Sequence, residues 1–151
     1  MSTRNDIIKQ MVTDLRVKID PVRSDIVYST GIGSVMRGNI HFEDMKDMPC
    51  VVVANDEDEH QEDTLTMGDN AYSQVRYLNF YLYGRLERDQ QDEDADDLHN
   101  FLNDLEKFFR LDFTYKNDTT IGDIGYKEVE STDEHFFWDM DIAVGYRHDT
   151  L

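Results

Sequence analysis

Residues 72–109 hold the clearest pattern of apolar and polar positions in the chain, and its period changes once. Residues 72–83 alternate, with Leu78, Phe80 and Leu82 on one face and Val75, Tyr77, Tyr81 and Tyr83 on the other. A half-solvated strand carries polar residues on one of its faces. An apolar or aromatic set on both therefore predicts a central strand covered on each side. After an acidic corner at 89–97, Ala95, Leu98, Leu102, Leu105 and Phe109 step by three or four, flanked by Phe101 and Phe108. That spacing predicts a helix with one broad apolar stripe. The carboxylates ahead of it suit a helix N-terminus, where unpaired N–H groups and the dipole favour negative charge.

The flanking segments read less sharply. Ser2 or Thr3 as a cap, then Ile7, Ile8, Met11, Val12, Leu15 and Ile19 at helical spacing, with Pro21 beyond, predict a helix over about residues 3–18. Turn residues around Gly31, Gly33, Gly38 and Asn39 divide residues 25–42 into two short strands or extended pieces. Pro49 opens a β-branched run through Ala54 that predicts a buried strand. Residues 55–70 are strongly polar and read as a long exposed loop, which self-repelling carboxylates would keep extended. Residues 111–118 read as an irregular link. Residues 119–130 predict a strand bulged or bent at Gly122 or Gly125, followed by a hairpin at 131–133. The last strand alternates Phe136, Trp138, Met140, Ile142, Val144 and Tyr146 against Phe137, Asp139, Asp141, Ala143, Gly145 and Arg147, the pattern of a half-solvated antiparallel strand.

Helices do not alternate regularly with strands, so a doubly wound sheet is excluded. The expected fold is α+β, a mostly antiparallel sheet of four to six strands with one or two helices packed on one face. With 151 residues, one domain spanning 1–151 is expected, large enough to bury a core. No apolar run approaches the ~20 residues of a membrane span, and no leader pattern opens the chain, so a soluble, non-exported protein without membrane contact is expected. Cys50 is the only cysteine, reading as a small buried hydrophobe.

A formal charge of −18 alters the functional picture more than any motif does. Binding phosphates takes Lys and Arg, so conventional nucleic-acid binding is excluded, and the acidity points to solubility, a basic partner or a saline environment. The acids at 92–97 superficially suggest a calcium loop, but the required glycine is Asp97 and the required glutamate is Asn103. His41, His60, His99, His135 and His148 show no metal-ligand spacing, and neither a phosphate-binding glycine loop nor a nucleophile elbow is present. Neither catalytic residues, a metal site nor a cofactor is expected, and assembly becomes the leading class of function.

The layout resembles that of the tail terminator, or tail completion, proteins of long-tailed bacteriophages and related tailed viruses. The resemblance runs through the opening helix, the Pro49-Cys50-Val51-Val52-Val53 strand and the charged loop before Tyr77-Leu78-Asn79-Phe80-Tyr81-Leu82-Tyr83. It continues through Ala95-Asp96-Asp97-Leu98-His99-Asn100-Phe101-Leu102 and the closing 137–146 strand. It implies a structural virion protein, not an enzyme, assembled in the host cytoplasm into a ring, expected to be hexameric. That ring would cap the head-proximal end of the tail tube, end its polymerisation and join it to the neck. The implied partners are further copies of the chain, the tail tube protein and a neck or head-completion protein. Genome DNA would pass a negative channel wall without specific binding. Asp56, Glu57, Asp58, Glu59, Glu62 and Asp63 are the expected partner- or lumen-facing groups. Three other readings share these features: a different neck, head-completion or tube-like ring protein; a metal-dependent nuclease using clustered carboxylates; and an acidic mimic of DNA.

Overall fold

The computed structural model describes residues 4–54, 58–67, 71–89, 95–113, 119–129 and 131–150, giving the backbone alone for residues 4, 58–67, 71–78, 119–120 and 146–150. In chain order the elements are helix α1 (Arg4–Lys18), strands β1 (Ser34–Arg37) and β2 (Cys50–Val53), strands β3 (Asp58–Met67) and β4 (Ala71–Glu87), helix α2 (Asp96–Lys107), and strands β5 (Thr119–Val129) and β6 (His135–Thr150). A 3-10 turn covers Phe42–Asp44, and a π-helical turn, Phe108–Asp112, continues α2. The six strands form one sheet in the order β1-β2-β4-β6-β5, with β3 also paired to β4. Only β1 and β2 run parallel; the other four pairings are antiparallel. The fold is the expected α+β arrangement.

The period-2 patterns of β4 and β6 meet in register, so their apolar residues reach one face together. Phe80 faces Ile142, Leu82 faces Met140 and Leu86 faces Phe136. All six are buried, along with Trp138 and Val144. The stripes of both helices pack into the same core: Ile7, Ile8, Met11 and Leu15 from α1, and Leu98, Phe101, Leu102 and Leu105 from α2. The Arg16 guanidinium fastens α1 to the sheet by donating to the Val35 carbonyl at 2.9 Å. In the π-helical turn the wider coil shifts the phase of the stripe. Consecutive Phe108 and Phe109 thereby both turn inward and pack on Phe113 at ring separations of 4.9, 5.9 and 6.0 Å.

The second face of the sheet is covered only in part. Segment 38–48 lies over it, building a small apolar cluster of Met45, Cys50 and Val52 against Met36, Ile40, Phe42 and Tyr83. Tyr83 pins this segment: its hydroxyl accepts the Ile40 N–H at 2.7 Å and donates to the Ile40 carbonyl at 2.8 Å. Strand β2 is consequently buried at all four positions, in keeping with its unbroken apolar sequence.

Three expectations are corrected. Residues 25–30 form no strand; bends there are held by α2. The expected irregular link begins later than 111, because the π-helical turn reaches Asp112; residues 114–118 lie outside the described residues. The expected loop at 55–70 contains the ten-residue strand β3. Strand β2 occupies only positions 82–85 along one edge of β4, leaving residues 71–79 of that edge with N–H and C=O groups to satisfy. Strand β3 pairs with just those residues.

Gly84 marks the tightest point of the sheet. A Cβ there would strike the Cys50 carbonyl oxygen and come within 2.6 Å of Trp138 Cζ2. At Gly125 a Cβ would meet nothing within 4 Å. Gly84→Ala is therefore expected to lower the unfolding free energy by about 3 kcal/mol, the upper end of overpacking costs. Gly125→Ala is expected to change it by less than about 0.5 kcal/mol. Urea denaturation of both variants checks the contrast, which fails if the two glycines tolerate alanine equally.

Candidate functional site

The acidic residues singled out in the sequence do not share one kind of structure. Asp56 and Glu57 lie outside the described residues. Asp58 and Glu59 are paired in β3 opposite Asn79 and Leu78, while Glu62 and Asp63 sit at the register shift between Gln61 and Thr64. The backbone of these four residues belongs to an edge strand and not to a mobile loop. Local signals for it exist: Thr64, Leu65, Thr66 and Met67 lead into Gly68-Asp69-Asn70, composition suited to a three-residue hairpin connection. The density of carboxylates upstream masks them.

This hairpin occupies the part of β4 that β2 does not border. Strand β4 has 17 residues, a span of about 55 Å at roughly 3.3 Å per residue. Among its residues whose side chains are described, 79–87, the buried core positions are Phe80, Leu82 and Leu86. At the other end, β3 pairs with residues 71–79 of β4, these with residues 143–150 of β6, and residues 119–121 of β5 with residues 144–146 of β6. Within residues 58–67 the sequence has four carboxylates and no Lys or Arg. Charge along an edge strand opposes pairing with a foreign strand.

A second polar constellation is invisible in the sequence because its long-range bonds join residues 74 to 94 positions apart. Asp112, buried at the end of the π-helical turn, accepts from Arg23 at 2.6 Å and from the Tyr28 hydroxyl at 2.8 Å. Lys18 donates to the Asp112 carbonyl at 3.0 Å. Two turns earlier, the buried Asp104 carboxylate accepts the Ser29 and Thr30 N–H groups, each at 2.9 Å, and the Thr30 hydroxyl at 3.3 Å. Lys107 donates to the Val27 carbonyl at 2.6 Å. These bonds bind residues 18–30 to α2. The fork of Arg23 also holds Asp25 at 2.7 Å, and this hydrogen bond pulls the Asp25 carboxyl down to about 2. Burial, then the hydrogen bond to Asp112, raises the Tyr28 phenol above its ordinary range.

On the sheet face away from the helices, Tyr81 donates to the Asp139 carboxylate at 3.1 Å. Burial foremost, reinforced by the Asp139 charge, pushes the Tyr81 phenol up to about 12. Phe42, Tyr83 and Phe137 stack beside this pair, with ring separations of 5.7 and 4.6 Å from Phe42. Asp139 is buried, whereas Asp141 on the same face is exposed. A shallow cleft of about 240 Å³ is lined by Thr30, Met48, Pro49, Leu86, Glu87 and Asp97, smaller than the pockets that usually enclose small ligands. Among the described residues, no three His, Cys, Asp or Glu side chains are grouped so as to share a metal ion. Cys50 is buried, and burial raises its thiol pKa, away from the reactive thiolate form. Neither protein-family models nor curated proteins match the chain.

Two outcomes follow from these contacts. Tyr28→Phe removes a hydrogen bond to a buried carboxylate and is expected to cost about 2 kcal/mol in denaturant unfolding; an unchanged midpoint would show that Asp112 does not depend on this donor. For Tyr81 the folded pKa lies above the ordinary value of 10, so its contribution to stability is complete below pH 10 and is lost as pH rises through about 12. In a spectrophotometric titration, the difference between wild type and Tyr81→Phe should place one tyrosine near 12. A difference curve centred near 10 would remove the Asp139 contact from the account.

Proposed function

We propose that the chain is a structural, non-catalytic virion protein of a tailed virus, assembled in the host cytoplasm. Its copies form a ring, hexameric in this reading, that caps the head-proximal end of the tail tube and joins it to the neck. The observation that carries the proposal is the edge strand β3, which brings four carboxylates and no Lys or Arg to the part of β4 that β2 does not border. An element of this kind can reach a neighbouring protein or border a channel while the two-helix core keeps the subunit rigid.

The charge of the chain agrees with this use. A wall rich in carboxylates and poor in Lys and Arg offers DNA no phosphate contacts, so a genome can pass without being held. The arrangement of carboxylates supports the non-enzymatic reading as well. Asp104 on α2 and Asp112 on the π-helical turn, both buried, are engaged in fastening residues 18–30. Asp139 is engaged by Tyr81.

Negative-stain imaging of the purified protein, alone and mixed with tail tubes of the virus that encodes it, tests the proposal. Rings of six-fold symmetry seated at one end of the tube are expected. Neutralising the edge strand with Asp58→Asn, Glu59→Gln, Glu62→Gln and Asp63→Asn together should lower tube-end occupancy several-fold without unfolding the subunit. Protein that never associates with tubes, or that cleaves DNA when Mg²⁺ or Mn²⁺ is added, overturns it.

A further inference from the structure

Segment 38–48 lies on the sheet without joining it. At its start the Gly38 N–H donates to the Val53 carbonyl at 3.0 Å. From residue 39 to residue 47 the backbone hydrogen bonds among the described residues stay inside the segment, Asp44 to His41 and Met45 to Phe42. Three side chains fasten it instead. Tyr83 engages the N–H and C=O of Ile40, Arg85 donates to the Met45 carbonyl, and the Ser34 hydroxyl donates to the Lys46 carbonyl at 2.6 Å. Of residues 39–48 only Met45 is buried. A segment with few buried apolar contacts and no strand ladder opens at a lower free energy than the domain unfolds.

The closed position also carries costs of its own. Both ends of the segment turn in the left-handed region, Gly38 at φ 122° and Asp47 at φ 52°. Glycine adopts that conformation freely, whereas a residue with a Cβ does so against steric resistance. Under the segment, Arg85 Nε is buried with no hydrogen-bond partner, although the same guanidinium serves Met45. Water would satisfy that donor once the segment lifted. Against these costs stand the burial of Met45 and the stacking of Phe42 on Tyr83 and Phe137. Beneath lie Cys50 and Val52, fully buried on the face of β2 opposite Val51 and Val53, which belong to the helix-side core.

We propose that segment 38–48 is a strap that opens as a unit, pivoting at Gly38 and Asp47, and that the Tyr83 hydroxyl is its latch. Opening carries Phe42 and Met45 off the sheet and exposes Cys50 to solvent. No strand has to unpair, because no strand ladder includes residues 39–47. The β4–β6 ladder and the helix-side core stay closed throughout. The thiol, inert while buried, thereby becomes reactive only in the open form.

The chain has a single cysteine, so the rate at which the folded full chain reacts with the thiol reagent DTNB reads the opening directly. At urea concentrations below the unfolding transition that rate should be nearly independent of urea, since a local opening exposes little surface. Tyr83→Phe keeps a ring against Phe42 while removing both bonds to Ile40, and should speed the reaction about 10-fold. Tyr28→Phe acts in the helix-side core, and should lower the urea midpoint while leaving the rate nearly unchanged. Urea midpoints measured for each variant separate opening of the strap from loss of the whole fold. A rate that rises with urea in step with global unfolding overturns the proposal. So does a rate that Tyr83→Phe leaves unchanged, or one that Tyr28→Phe accelerates as much.

Discussion

The continuous pairing of β4 with β6 is the constraint on which the rest of the structure depends. From Tyr72 opposite Thr150 to Glu87 opposite His135, the two strands stay in register without a bulge. Side chains alternate with a period of two, so a slip of one position would send Phe80, Leu82, Phe136, Trp138 and Met140 to the other face and strand both helices without a core. Gly84 opposite Trp138 reinforces this register. The indole fills the space that any larger residue at 84 would claim, while the Cys50 carbonyl closes in from β2. Register and packing are therefore fixed at the same place, where three strands meet.

With that ladder in place, the remaining elements divide its length between them. One half of β4 is covered by the helices on one face and by segment 38–48 on the other, and carries β2 along its edge. The other half carries β3. The division is electrostatic as well as geometric. Residues 4–30 and 96–112, which hold the helices and the segment bound to them, carry seven basic against nine acidic residues, while β3 has four carboxylates and no Lys or Arg. Packing a helix against a sheet is easier where surrounding charges cancel. Carboxylates along an edge strand deter unwanted strand pairing through their mutual repulsion.

What could be read in the sequence follows from the range of the interactions involved. Both helices, the β2 run, the bulge near Gly122, the 131–133 hairpin and the alternation of β6 are set by residues within one or two turns of each other. Their patterns survive in any window of the chain. Strand β3 was obscured because its cause lies elsewhere: residues 71–79 of β4 need a partner, and nothing within 58–63 advertises an affinity for one. The expectation of a loop over these residues failed for the same reason, since a run of carboxylates reads as solvated loop until its backbone partners are known. The Asp112 constellation leaves even less trace. Asp104 sits three residues from Phe101, on the flank of the apolar stripe, and this is the only local sign that it is buried.

Those two buried carboxylates explain how residues 18–30, which lack regular structure, are held in one conformation. Asp104 takes the Ser29 and Thr30 N–H groups that a strand would otherwise have paired. Asp112 gathers Arg23 and Tyr28 at the far end of the same segment. Each hydrogen bond to an ionised acceptor is worth more than a neutral one, and together they replace the ladder that the segment lacks. A segment fastened in this way can display Val22 and Val27 to solvent in a fixed geometry, because hydrogen bonding to α2 holds it in place and burial of those side chains does not.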